Sequence, residues 1–123
     1  MPWDIKYITK PGYTLIRYKG IVTENELIDA FQASKEIINQ KNSSLILSDC
    51  STMEGGHSVF DLYKLIKLYE ETGFPRNFKE AILMPELRDS VDNVLFYETA
   101  CLNRGYNVKI CREHDEAVAW LFG

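Results

Sequence analysis

The sequence predicts an α/β domain: a mixed, mostly parallel sheet of about five strands with helices on both faces, in the order ββαβαβαβα, with residues 1–123 forming one unit. Three observations predict it. Two alternating runs near the start are separated by a Pro-Gly turn, which reads as a β-hairpin. Short β-rich runs then alternate with longer helical patterns, and strands separated by helices pair in parallel through right-handed crossovers. Start and stop signals punctuate the helical patterns.

Trp3 to Thr9 alternates apolar and polar residues, Pro11-Gly12 turns the chain, and Tyr13 to Lys19 alternates again. A turn this tight makes the first strand antiparallel and leaves it at an edge. Thr23 and Glu26 form a capping box, in which the Thr23 hydroxyl accepts from the Glu26 backbone N–H and the Glu26 carboxylate returns to the N–H of Thr23. Leu27, Ala30, Phe31, Ser34, Ile37 and Ile38 follow at helical spacing, and the helix fades over 39–43. Leu45-Ile46-Leu47 is apolar on both faces, which suits a strand covered from both sides, and Asp49-Cys50-Ser51-Thr52 closes it as a turn-forming segment.

Ser58 with Asp61 caps a second helix carrying Phe60, Leu62, Tyr63, Leu65, Ile66 and Tyr69; Gly73 takes the left-handed position at its end, with Pro75 behind it. Ala81-Ile82-Leu83 centres a strand over 79–84, stopped by Pro85. Leu87, Val91, Val94, Leu95, Cys101 and Leu102 give a third helix ended by Gly105. Residues 106–111 read as a strand and 113–122 as a last helix, with Ala117, Trp120 and Leu121 on one face. Glu113, Asp115 and Glu116 lie in its first turn, where they complement the helix dipole.

Composition narrows the function classes. A net charge of −4 with scattered Lys and Arg argues against a nucleic-acid or anionic-membrane surface, both of which need a basic stripe. No apolar stretch approaches the ~18 residues of a membrane span, and Asp4, Lys6 and Lys10 interrupt any signal-peptide core. Cys50, Cys101 and Cys111 form no CxxC pair and are odd in number, so free thiols in a reducing, cytoplasmic setting are expected. Cys101 and Cys111 fall on inward faces as small apolar residues. Cys50, His57 and His114 lack the spacing of a zinc site, and no metal or cofactor is expected.

The candidate site residues come from position and composition. Asp49 and Ser51 lie at the carboxyl end of the third strand, the edge where open α/β sheets bind ligands. Gly56-His57-Ser58-Val59-Phe60 falls one glycine short of the G-x-S-x-G nucleophile elbow, and Ser58 reads first as a helix N-cap. Phe60, Tyr63, Phe74, Phe96 and Tyr97 concentrate in the second and third helices and the link between them. Val94 to Tyr97 places apolar groups at four successive ~100° steps, whereas a helix on a sheet buries a stripe of roughly 100°. At least one of the four should therefore point away from the sheet, towards a pocket or a self-association surface, with a homodimer as the outcome of the latter.

Four stretches resemble the SpoIIAA-like family of STAS-type domains. They are Gly20 to Glu26; Leu45-Ile46-Leu47-Ser48-Asp49-Cys50-Ser51; the helix from Phe96 to Gly105 running into Tyr106-Asn107-Val108-Lys109-Ile110; and Glu116-Ala117-Val118-Ala119-Trp120-Leu121, similar to the family's closing Glu-Ala-x-x-Trp-Leu helix. The resemblance covers nearly the whole chain and implies a bacterial regulatory module that acts by binding. Family members include anti-sigma factor antagonists switched by phosphorylation of a Ser at the start of the helix after the third strand. Ser58 falls near that place, but Gly55-Gly56-His57-Ser58-Val59 stands where the family commonly has Asp-Ser-Ser-Gly. The broader family also resembles CRAL-TRIO-type lipid carriers in topology, which implies an apolar ligand.

No complete nucleophile, metal or phosphate-cradle motif is present, so the expected function is non-enzymatic binding of a protein partner or a small apolar ligand. The rival is a small hydrolase or transferase using Ser58 or Ser51. A buried base hydrogen-bonded to either serine would distinguish it.

Overall fold

A computed structural model describes residues 2–123. Among the described residues the elements run in the predicted order: β1 (Trp3–Ile8), β2 (Tyr13–Gly20), α1 (Glu24–Lys41), β3 (Leu45–Met53), α2 (Val59–Glu71), β4 (Lys79–Leu83), α3 (Arg88–Asn103), β5 (Asn107–Cys111) and α4 (His114–Leu121). The strands lie side by side in sequence order as one sheet. β1 pairs with β2 antiparallel, Trp3 opposite Tyr18 and Ile8 opposite Tyr13, and every later pairing is parallel. No helix among the described residues is long and apolar enough to cross a membrane.

Three successive crossovers of one hand step the sheet in one direction, so α1, α2 and α3 share a face. There Ile16, Ile46, Ile82 and Val108 of the strands meet Phe31, Ile66, Val94 and Cys101 of the helices. After β5 the chain turns under the sheet, and α4 covers the other face. On that side Leu15, Leu47, Ala81, Leu83 and Cys111 pack with Ala117 and Leu121. Strand alternation accounts for both layers, because successive side chains point to opposite faces. β3 contributes Leu45 and Leu47 to the α4 side and Ile46 to the other, as its two-sided apolar pattern predicted.

The helix ends follow local chemistry. Both arms of the Thr23–Glu26 and Ser58–Asp61 capping boxes are formed. At the end of α2 the N–H of Phe74 bonds the carbonyl of Tyr69 and that of Gly73 bonds Glu70, with Gly73 at φ +68°. That is a Schellman ending, which needs the left-handed conformation glycine adopts without penalty.

One element differs from expectation. Asp49 to Thr52 does not turn the chain: β3 continues to Met53. The pairing with β2 slips there, since Arg17 faces Asp49 but Lys19 faces Thr52, leaving β3 one residue longer. This is a β-bulge, in which an extra residue is absorbed by a local kink. The polar segment therefore stays in the sheet, its backbone paired on both sides up to Asp49 and with β2 beyond it.

Candidate functional site

A cavity of about 50 Å³, partly open to solvent, lies between the sheet and the three helices on its α1–α3 face. Its floor is strand side chains: Tyr18 of β2, Ser48 and Cys50 of β3, Glu80 and Ile82 of β4. Its walls are helical, with Leu27 of α1, Leu62, Leu65 and Tyr69 of α2, and Val94 and Tyr97 of α3. Met53 and His57 stand at the segment joining β3 to α2.

The bulge matters to this arrangement. Without it, Met53 would fall on the α4 side with Leu45 and Leu47, because strand side chains alternate with period two. With it, Ser48, Cys50 and Met53 all face the cavity. The loop that follows is seated by glycine. Gly56 has φ +99°, and a Cβ on it would lie 2.5 Å from Ile21 Cγ2 and 2.7 Å from the Val22 nitrogen, so no side chain fits there. The close approach lets Val22 N–H bond the Gly55 carbonyl at 2.7 Å. It also brings His57 Nδ1 to 2.8 Å from the Val22 carbonyl. A carbonyl only accepts, so Nδ1 carries a hydrogen, and in the neutral imidazole Nε2 then holds the lone pair.

At the centre is Glu80, 9% exposed. Ser48 Oγ donates to its Oε2 at 2.6 Å, and Tyr97 Oη donates to its Oε1 at 2.6 Å. Tyr69 Oη lies 2.7 Å from Tyr97 Oη and completes the chain of hydrogen bonds. Burial pushes the Glu80 carboxyl above the usual carboxylate range, while the Ser48 and Tyr97 hydroxyls oppose that shift. Burial, reinforced by Glu80, likewise pushes the Cys50 thiol up, so it stays protonated and unreactive at neutral pH. Among the described residues, no Lys or Arg lines the cavity.

The residues singled out from the sequence do not converge here. Tyr97 lines the cavity, but its hydroxyl belongs to the buried network rather than to a surface. Phe74 is in the core, stacked on Tyr69 at 5.2 Å between ring centres. Phe60 points outward, 66% exposed, with the Lys64 ammonium over its ring. Tyr63 and Phe96 are half-buried. Among Val94 to Tyr97, Leu95 is the residue directed away from the sheet, at 42% exposure. Asp49 sits on the face opposite the cavity and pairs with Arg17 at 3.8 Å. Ser51 donates to Asp49 at 2.6 Å, a contact between near neighbours in the chain. Ser58 is exposed and accepts from the Asp61 N–H as a helix cap. His57 lies on the α1–α3 side, whereas His114 contacts Tyr13 beside α4, so the two histidines do not share a site.

Sequence reasoning missed Glu80, and a signal for it exists. In Phe78-Lys79-Glu80-Ala81-Ile82 the glutamate shares strand parity with Phe78 and Ile82, which are core residues. A charged residue in register with the buried face of a strand is a polar group that must be hydrogen-bonded inside.

The chain is similar in structure to an uncharacterised protein from Shewanella loihica PV-4, of the DUF3478 family with a SpoIIAA-like fold, at TM-score 0.64 and 16% identity, over 97% of this chain and 91% of that one. No family model matches the chain, and no curated protein matches it. The fold is thus SpoIIAA-like, as the resemblance of the four sequence stretches implied.

Proposed function

We propose that this chain is a non-catalytic SpoIIAA-like module of regulatory type that binds a small, largely apolar ligand between its sheet and its α1–α3 layer. The observation that carries the reading is the cavity itself: mostly apolar walls around a few convergent polar groups, the usual make-up of a small-molecule site. The non-catalytic part is supported by the state of the two candidate serines and of the cavity thiol. The Cys50 thiol is held protonated, Ser51 is tied to its neighbour Asp49, and the Ser58 oxygen accepts at a helix start.

The test is to fill the cavity. Leu62→Phe and Val94→Phe, each confirmed as folded by circular dichroism, are expected to weaken binding of an apolar fluorescent dye on the order of tenfold, since added bulk occupies the ligand's space. Unchanged dye binding in both folded variants overturns the assignment of the site. Ester hydrolysis lost on Ser51→Ala or Ser58→Ala, with the fold intact, overturns the non-catalytic part.

A further inference from the structure

We propose that the ligand of this cavity is a protonated primary alkyl amine, its ammonium group on Glu80 and its alkyl chain between α2 and α3; this rests on the cavity being the binding site. Two independent features lead there.

The first is an account of hydrogens. Ser48 and Tyr97 both spend their hydroxyl hydrogens on Glu80, and the hydrogen shared by Tyr69 and Tyr97 lies within that pair. His57 spends its Nδ1 hydrogen on the Val22 carbonyl, and as a neutral ring it offers the Nε2 lone pair. With Glu80 ionised, the donors left uncommitted are the Tyr18 hydroxyl, which can turn either way, and the weak Cys50 thiol. An ionised carboxylate has about four acceptor positions, and here two hydroxyls engage it. The cavity is therefore rich in acceptors and poor in donors, and it matches a ligand that brings hydrogens with it.

The second feature is charge. Among the described residues Glu80 has no ion-pair partner, and no Lys or Arg lines the cavity. A buried carboxylate without a countercharge is costly, and a ligand cation relieves that cost where a neutral or anionic head does not. An acid would place a second carboxylate against the first. An ammonium supplies three donors and one positive charge on a narrow head, and its alkyl chain meets Leu62, Leu65, Ile82 and Val94.

The experiment compares three probes of one chain length on the intact chain at neutral pH: hexylammonium chloride, hexanol and sodium hexanoate, titrated by calorimetry. Hexylammonium is expected to bind on the order of tenfold more tightly than hexanol, the difference between a charge-assisted and a neutral hydrogen bond, with hexanoate weakest. In Glu80→Gln the amine should fall to the level of hexanol, while hexanol is retained. In the native chain, the carboxyl carbon resonance of Glu80 should move with hexylammonium and not with hexanol; that readout needs no variant and stands if Glu80→Gln does not fold. If hexanol or hexanoate binds as well as the amine, or if folded Glu80→Gln keeps the amine preference, the amine assignment is overturned and the cavity reading stands. If none of the three binds, the cavity reading itself fails.

Discussion

The two faces of the sheet are built from the same five strands and differ in kind. On the α4 face, Leu15, Leu47, Ala81, Leu83 and Cys111 meet Ala117 and Leu121 in an apolar layer. On the α1–α3 face, the residues next in sequence are Ile16, Ser48, Glu80 and Ile82, and a carboxylate, a serine and two tyrosines form a buried network around a cavity. One residue of displacement along β3 or β4 moves from one regime to the other. The period-two pleat allows a strand to carry a packing surface and a binding surface at once. The α4 layer can be optimised for density, while the α1–α3 layer, with three helices to hold it, tolerates an imperfectly filled and polar interior.

Three perturbations break or sharpen this contrast. The largest effect is expected for Leu47→Ala, a fully buried residue of the α4 layer. It should cost about 2–5 kcal/mol through lost transfer energy and the void left behind, measured as a lower urea midpoint, with dye and amine affinity retained by the folded fraction. If affinity falls in parallel, the two faces are coupled rather than separate.

The second perturbation tests the buried charge. In the folded chain Glu80 keeps its proton at pH values where the unfolded chain, near the ordinary 4.5, has lost it. The stabilisation from the protonated form is thus fully present below pH 4.5 and is lost as pH rises through the raised value. Tyr18, Tyr69, Tyr97, Cys50 and Cys101 around it are all shifted upward by burial and remain protonated over that range. Glu80→Gln has no proton to lose, so the native chain should lose stability relative to this variant as pH climbs above 4.5. Urea midpoints of the two that run parallel across the range would mean the carboxyl is not shifted.

The smallest effect belongs to the periphery of the α1–α3 layer. Thr23→Ala removes a cap whose hydroxyl accepts from the Glu26 N–H at 3.4 Å and should cost ~1 kcal/mol. Neither face of the sheet is touched, so ligand affinity should not move. An unchanged urea midpoint would show that the capping box contributes nothing to folding.

Local chemistry in the sequence determined the element order, the Pro11-Gly12 hairpin, the caps at Thr23 and Ser58, the left-handed ending at Gly73 and the inward placing of Cys101 and Cys111. Each depends on residues a few positions apart, whose geometry is set by backbone sterics and short-range hydrogen bonds. The site was decided otherwise. Glu80 meets Tyr97 seventeen residues on and Ser48 thirty-two residues back, contacts that exist only once parallel pairing sets β3 beside β4 and α3 packs above them. The bulge after Asp49 is a mismatch between two strands and has no signature in either alone, yet it puts Met53 on the cavity side of the sheet. Phe60 and Phe74 are the same residue type, one in the first turn of α2 and one three residues past its end; packing against Phe31, Tyr69 and Phe78 makes Phe74 core, whereas Phe60 is left in solvent. Which aromatic is buried, and which carboxylate loses its water, depends on what lies across the fold, and only the tertiary structure supplies that neighbour.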